Sequence, residues 1–293
     1  MSAKSKKRLI ILCPNPYRDT GLEYTAQAKR LLTDAGFSVA VCPEFPGEGE
    51  WNIRGLEFSA LEDVVNGASM AVSLGGDGTI LHTARRLIGH RVPVIGVNLG
   101  SVGFLAELKS RELPRLITAA EGSYTPSPRM MLEIEAERAG EIIYSDYALN
   151  DVVLRGVTQT MEITACGDGR KILQFIGDGI ICATPTGSTA YSMSAGGPLV
   201  EPTTENIILT PICAHALAAR SFVLAPDRLV EIKIDGSASS VKRRFLSVDG
   251  GENLEPQPED IIRIRKSEYQ TMFAHVSSQA FYDVVYEKLG EKK

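Results

Sequence analysis

The chain has 293 residues, 44% of them apolar and 23% charged, which fits a globular protein of one or two domains with a sizeable core. These figures exclude collagen-like, disordered and disulfide-scaffold classes. With 31 basic against 36 acidic side chains the formal charge is −5, which argues against a bulk electrostatic grip on nucleic acid or on an anionic membrane. One count is high: of the 27 glycines, twelve fall in two windows, Gly75–Gly103 and Gly177–Gly197.

Lys4, Lys6, Lys7 and Arg8 open the chain, but the apolar run after them, Leu9–Cys13, is too short for a signal-peptide core and meets Pro14-Asn15-Pro16. It reads instead as a buried parallel strand. Asp19 or Thr20 is expected to cap a helix with Tyr24, Ala28, Leu31 and Leu32 on one face and Gly36 as its stop. Phe37–Val41 follows as a strand, residues 43–54 as a loop, Glu57–Asn66 as a short helix and Ser69–Leu74 as a strand. Gly75-Gly76-Asp77-Gly78 then leads into a helix through Ile80, Leu81, Ala84 and Leu87, and Pro93–Val97 is a further strand. Such alternation predicts an open, Rossmann-like α/β sheet, which binds ligands at the carboxyl ends of its strands.

The texture changes near Pro126 and Pro128. Alternating runs appear over Leu132–Ala136, Ile142–Tyr147, Val152–Arg155 and Met161–Ala165, with Ala139-Gly140 and Gly167-Asp168-Gly169 as hairpin turns. Later strands are expected at Leu229–Ile234, Phe245–Val248, Ile261–Arg265 and Gln270–Val276, a non-β insert at 184–197, and a helix from Ala280 to Leu289. The division expected is an α/β domain over 1–125, a mainly antiparallel β-sandwich over 126–276, and a helix and tail over 277–293 that packs back on the first domain.

The best candidate for a membrane span, Ile207–Ala219, is interrupted by Thr, Pro and His. The five cysteines (Cys13, Cys42, Cys166, Cys182, Cys213) form no CxxC pair, and with four His they offer no zinc spacing, so they read as buried free thiols in a reducing cytoplasm. The expected location is therefore cytoplasmic.

The glycine turns carry the chemistry. Gly75-Gly76-Asp77-Gly78-Thr79 lies between a strand and a helix, where glycines let the backbone approach a ligand and the helix N–H groups face an anion such as phosphate. A plain βα turn rarely needs three glycines around one acid. Asp77, the one ionisable group in this cradle, is suited to orienting or deprotonating a hydroxyl nucleophile, or to binding Mg²⁺. There is no GxxxxGK[ST] and no kinase-type HRD or DFG loop. A second turn, Asn98–Leu105, leaves Phe104 beyond the strand ends, either as core or as a stacking platform for a base. The third cluster runs from Gly177-Asp178-Gly179 through Thr184–Pro198. Thr186 or Ser188 is placed there to cap a helical turn bearing Thr189, Ala190, Tyr191 and Ser194, a set of donors suited to ribose, phosphate and amide groups. Asn150-Asp151, set between two apolar strands, needs a turn or a polar ligand to satisfy it. His82 reads as a helix-surface residue within reach of phosphate, His215 as a core histidine and Lys242-Arg243-Arg244 as a solvated hairpin face.

In this order, Gly75–Thr79, Asn98–Leu105, Asn150-Asp151, Asp178-Gly179 through Pro198, and Pro211–His215 resemble bacterial NAD kinases over nearly the whole chain. A GGDGT turn alone is shared with lipid kinases and phosphofructokinases. The TPTGSTAYSMSAGGP stretch after a GDG is far more specific. The resemblance implies ATP and a divalent metal, Mg²⁺, phosphorylating the 2′-hydroxyl of the adenosine ribose of NAD, in an active site between an α/β and a β-sandwich domain. It implies that Asp77 activates the hydroxyl, and that Gly75, Gly76, Gly78 and Thr79 hold the phosphates. Asn150 and Asp151 would meet the adenosine portion, Phe104 the adenine and Asp178 the nicotinamide side. Thr189, Ala190, Tyr191 and Ser194 would line the dinucleotide pocket. A homodimer or homotetramer is implied, with no nucleic-acid or membrane partner. Two positions depart from the family: Asp151 stands where Glu is usual, and Gly251 where many members carry Gln. The alternatives are a lipid kinase of the same superfamily and a non-catalytic NAD sensor.

Overall fold

A computed structural model describes residues 8–44, 56–100, 103–157, 159–216, 219–234 and 243–290. Lys4, Lys6, Lys7, Lys242, the pair Ser101-Val102 and most of the expected 43–54 loop lie outside these residues. The chain forms two compact units, one of Met1–Pro128 with Thr271–Lys293 and one of Arg129–Gln270.

The first unit begins with β1 (Leu9–Pro14), α1 (Glu23–Asp34), β2 (Ser38–Val41), α2 (Leu61–Val64), β3 (Ala68–Gly75), α3 (Asp77–Arg86), β4 (Val94–Asn98), β5 (Leu108–Lys109) and α4 (Arg115–Ala120). β1 pairs in parallel with β2 and β3, β3 with β4, and β4 with β5. Ile10, Ile11, Leu12 and Cys13 of β1 are wholly buried. Such unbroken apolar runs are expected of parallel strands covered on both faces. The start of α1 is held by Asp19, as expected. Its carboxylate accepts hydrogen bonds from the Tyr24 and Thr25 N–H groups (3.0 and 2.9 Å) and from the Thr25 hydroxyl (2.6 Å). A 3-10 turn over Thr20–Leu22 intervenes, ending in left-handed Leu22 (φ 52°). That offset turns Tyr24 outward, so the buried face is Thr25, Ala28 and Leu32 rather than the one expected.

The chain continues through β6 (Thr125–Arg138), β7 (Glu141–Ala148), β8 (Asp151–Gly156), β9 (Met161–Gly167), β10 (Arg170–Gly177), β11 (Gly179–Ala183), α5 (Tyr191–Ser194), β12 (Ile207–Ile212), β13 (Phe222–Leu224), β14 (Val230–Ile234), β15 (Arg244–Val248), β16 (Gly251–Leu254), β17 (Ile261–His275) and α6 (Phe281–Leu289). In the second unit one sheet runs β13-β12-β11-β8-β15-β16. Opposite it are β10-β9-β14-β17 and the β6–β7 hairpin, whose β6 pairs with β17. Leu132, Ile163, Ile232 and Ile262 from one layer share a core with Leu154, Ile180, Leu209 and Leu246 from the other, so the unit is an antiparallel sandwich. Ala139-Gly140 (φ 52° and 86°) and Asp168-Gly169 (φ 50° and 75°) close two-residue hairpins with both φ angles positive, as the right-handed strand twist favours. Beyond the boundary, Phe273 of β17 pairs in parallel with Val94 of β4 inside the first unit.

The structure departs from the sequence reading in several elements. Ile261–His275 is one strand rather than two, running through the polar stretch although its buried positions change phase between Ile264 and Ser267. β10 to β13 and β16 are strands the alternation pattern misses. β11 and β12 are buried along their whole length and therefore show no alternation. Neither Thr186 nor Ser188 caps a helical turn: a 3-10 turn spans Thr186–Thr189, and Ala190 (φ −98°, ψ −130°) breaks it from α5. Cys13, Cys42 and Cys182 are buried as expected, but Cys166 is only partly covered and Cys213 is exposed. His215 is likewise exposed, not core, because the chain turns outward at left-handed Cys213 (φ 46°). Among the described residues no helix is long and apolar enough to cross a membrane.

Candidate active site

In the first unit the turn after β3 is built around missing side chains. A Cβ on Gly75 would lie 2.3 Å from the Thr79 hydroxyl oxygen, so only glycine lets α3 fold back so tightly. That hydroxyl, buried, accepts hydrogen bonds from the Asn15 amide (3.0 Å) and the Gly76 N–H (3.4 Å), tying the turn to the end of β1. Asp77 heads α3, where the helix dipole favours a carboxylate. Its two oxygens accept the N–H groups of Phe104 (2.6 Å) and Leu105 (3.2 Å), and a Cβ on Gly103 would fall 1.6 Å from one of them. The carboxylate therefore lies directly against a bare glycine backbone and is fixed in direction.

These groups open on a cavity of about 420 Å³ lined by Asn15, Arg18, Gly76, Asp77, Gly78, Thr79, Asn98, Gly100, Gly103 and Lys288, large enough for part of a nucleotide. Asn98 braces the second glycine turn by accepting the Gly100 N–H at 2.9 Å. Phe104 is half-buried, with the Lys288 ammonium 3.8 Å from its ring centroid. Gly75 lies behind the cavity wall as a packing glycine. The His82 ring hydrogen-bonds to Glu44, a wholly buried carboxylate that also takes the Thr83 hydroxyl (2.9 Å) and Arg86 (3.2 Å), which anchors α3.

The second unit holds a polar cluster at the β7–β8 junction. Asp249, in the left-handed region (φ 51°), accepts the N–H groups of Leu149, Asn150 and Asp151 at 2.9, 2.8 and 3.1 Å. Asp151 is buried, and burial, followed by the charge of Asp249, pushes its pKa up to about 7. Thr184 donates to the Leu149 carbonyl (2.6 Å) and accepts the Gly187 N–H (3.0 Å). A Cβ on Gly187 would lie 2.0 Å from the Asn150 carbonyl oxygen, so the TPTGS turn presses on Asn150. The Asn150 side-chain oxygen and the Thr186 hydroxyl are buried without a protein partner, as in a site that awaits polar ligand groups. Tyr191 and Ser194 are exposed, Thr189 and Ala190 half-buried, and Ser192 between them is buried on Thr210 (3.0 Å). Asp178 is exposed and receives a hydrogen bond from the Cys213 thiol, which raises the thiol's pKa. Gly251 lies on β16, two residues after Asp249.

Sequence reasoning brought Gly76, Asp77, Gly78 and Thr79 to one cavity, and Asn150 and Asp151 to one cluster. It missed Asn15, Arg18 and Lys288 as cavity residues and Asp249 as the group organising Asn150-Asp151. Pro14-Asn15-Pro16 was a legible strand-end signal, whereas nothing local marks Lys288, 185 or more positions along the chain from the other lining residues. Among the described residues no group of three or more His, Cys, Asp or Glu could hold a metal. Among the described residues Asp77 is the one carboxylate of the cavity lining. That donor set fits a cation carried in on nucleotide phosphates better than a protein-made cage.

Residues 10–122 match the model of the ATP-NAD kinase N-terminal domain, and residues 149–276 that of the ATP-NAD kinase C-terminal domain. The NAD kinase of Ruminiclostridium cellulolyticum is 36% identical over 282 residues, covering 95% of this chain and 96% of the relative. That of Acetivibrio thermocellus is 35% identical over 289 residues, 97% of each. Among solved structures, yeast NADH kinase complexed with NADH aligns with a TM-score of 0.85 at 26% identity, over 99% of this chain and 89% of that one. An NAD kinase from Archaeoglobus fulgidus shares the fold, with a TM-score of 0.68 at 23% identity over 92% and 93%. With both halves matched and full-length relatives above 30% identity, the chain belongs to the ATP-NAD kinase family and is a kinase that transfers phosphate to a hydroxyl of NAD.

Proposed function

We propose that this kinase transfers the γ-phosphoryl group of ATP to the 2′-hydroxyl of the adenosine ribose of NAD, with Asp77 as the group that takes the hydroxyl proton. The observation that carries this reading is the Asp77 carboxylate at the head of α3, aimed by the Phe104 and Leu105 N–H groups and bordered by open backbone at Gly76 and Gly78. Phosphoryl transfer passes through a loose transition state, so aim and charge neutralisation contribute more than base strength. In this reading the ATP phosphates lie over Gly76, Gly78 and Thr79 at the positive end of the helix. The unpartnered oxygens of Asn150 and Thr186, with Asp151 beside them, receive polar groups of the NAD adenosine portion. Thr189, Ala190, Tyr191, Ser194 and Asp178 form the rest of the dinucleotide pocket. A divalent metal, Mg²⁺, would be held by the nucleotide phosphates with Asp77 and would supply charge neutralisation. A cytoplasmic homodimer or homotetramer completes the reading.

The test is a coupled assay with NAD, ATP and Mg²⁺ that reads NADP, followed by NMR of the purified product. NADP carrying phosphate at the ribose 2′ position is expected. Phosphate at another hydroxyl, or no NADP, overturns the assignment.

A further inference from the structure

Helix α6 has no buried residue, and Tyr282 and Tyr286 on it are 65% and 81% exposed. It is held at its start by Asp283, which accepts the Ala280 N–H (2.9 Å), and along its length by the Lys109–Glu287 ion pair (3.7 Å). Such a helix adds little to the core. It nevertheless places Lys288 on the wall of the cavity that holds Asp77, with the ammonium 3.8 Å from the Phe104 ring centroid. Partial burial lowers the lysine's pKa, while the charges of Asp77 and Glu287 act the other way. Among the described lining residues only Arg18 and Lys288 carry positive charge, against the single negative charge of Asp77. An ammonium on a four-carbon stem is a mobile point charge. A ring face holds it more weakly than a charge-assisted hydrogen bond to phosphate does.

We infer that Lys288 is a phosphate-binding residue of the donor site: on nucleotide arrival its ammonium leaves the Phe104 face and takes an oxygen of the triphosphate lying over Gly76 and Gly78. This rests on the kinase reading above. It gives the C-terminal helix a function, delivery of a cation that the glycine turn itself lacks.

Three full-length variants test it, with ATP–Mg²⁺ binding measured by calorimetry and NADP formation by coupled assay. Lys288→Gln is expected to weaken ATP binding and raise the KM for ATP about tenfold or more, with the KM for NAD unchanged within about twofold. Lys288→Arg is expected to recover most of the loss, and the salt dependence of ATP binding to be shallower in Lys288→Gln than in wild type. Tyr286→Ser, on the same helix, is expected to bind ATP like wild type. An unchanged or tighter ATP affinity in Lys288→Gln overturns the inference, as does an equal loss in Tyr286→Ser, which would assign the effect to the helix and not the charge. Absence of NADP with wild-type protein would instead defeat the kinase reading on which the inference stands.

Discussion

At the residue scale, the acids of this protein differ by what surrounds them. Asp77 is aimed by two N–H groups at the head of a helix and faces a cavity. Asp151 is buried beside Asp249, which already takes three N–H groups, so its own charge is disfavoured and its pKa rises to about 7. An unfolded Asp titrates near ~3.9, so folding favours the protonated carboxyl of Asp151. That contribution is whole below about pH 4 and is lost as the pH climbs to 7 and beyond. Asp151→Asn mimics the protonated form, and it is expected to flatten the decline in stability between pH 4 and 8 by on the order of 2–4 kcal/mol. Thermal melts of both proteins across that range check this, and identical pH profiles would refute the coupling. Asp77 was legible in the sequence because it is the sole acid inside a glycine turn. Asp249 was not, since its role arises from a left-handed backbone and from residues about a hundred positions upstream.

At the scale of elements, the glycine turns divide into those that clear space for the protein and those that clear space for a ligand. Gly103 belongs to the first kind, because an added methyl would collide with the Asp77 carboxylate. Gly103→Ala is expected to misdirect Asp77 and lower turnover by roughly 10²-fold, measured as kcat in the coupled assay. Gly76 and Gly78 belong to the second, since a methyl there meets no protein atom within 4 Å. Gly76→Ala is expected to melt within about 0.5 kcal/mol of wild type yet bind ATP more weakly. A stability loss comparable to an overpacked core, about 1–3 kcal/mol, would show that Gly76 serves packing instead. The same distinction explains how much of the fold could be read. Strands with one wet face, such as Leu132–Ala136, announce themselves by alternation. β11 and β12 are dry on both faces and look like any apolar run. The break expected near residue 266 did not occur: β17 continues through the polar stretch, and only the phase of its buried positions changes, between Ile264 and Ser267.

At the scale of the whole molecule, a protein of charge −5 handles two polyanionic nucleotides. Backbone N–H groups at α3 were one readable source of local positive field. Arg18 and Lys288 add side-chain charge that composition conceals, because the fold gathers them from opposite ends of the chain. ATP affinity is accordingly expected to fall with added salt despite the negative net charge, whereas a salt-independent affinity would leave the backbone as the main anchor. The motif order from the GGDGT turn to the TPTGSTAYSMSAGGP stretch was enough to identify the family, and the geometry supplied the bracing around it. The most direct measurement compares wild type with Asp77→Asn for NADP formation from NAD, ATP and Mg²⁺, alongside calorimetric NAD binding. The account predicts a loss of roughly 10²–10⁴-fold in turnover with NAD binding retained, and wild-type-like turnover in the variant would contradict it.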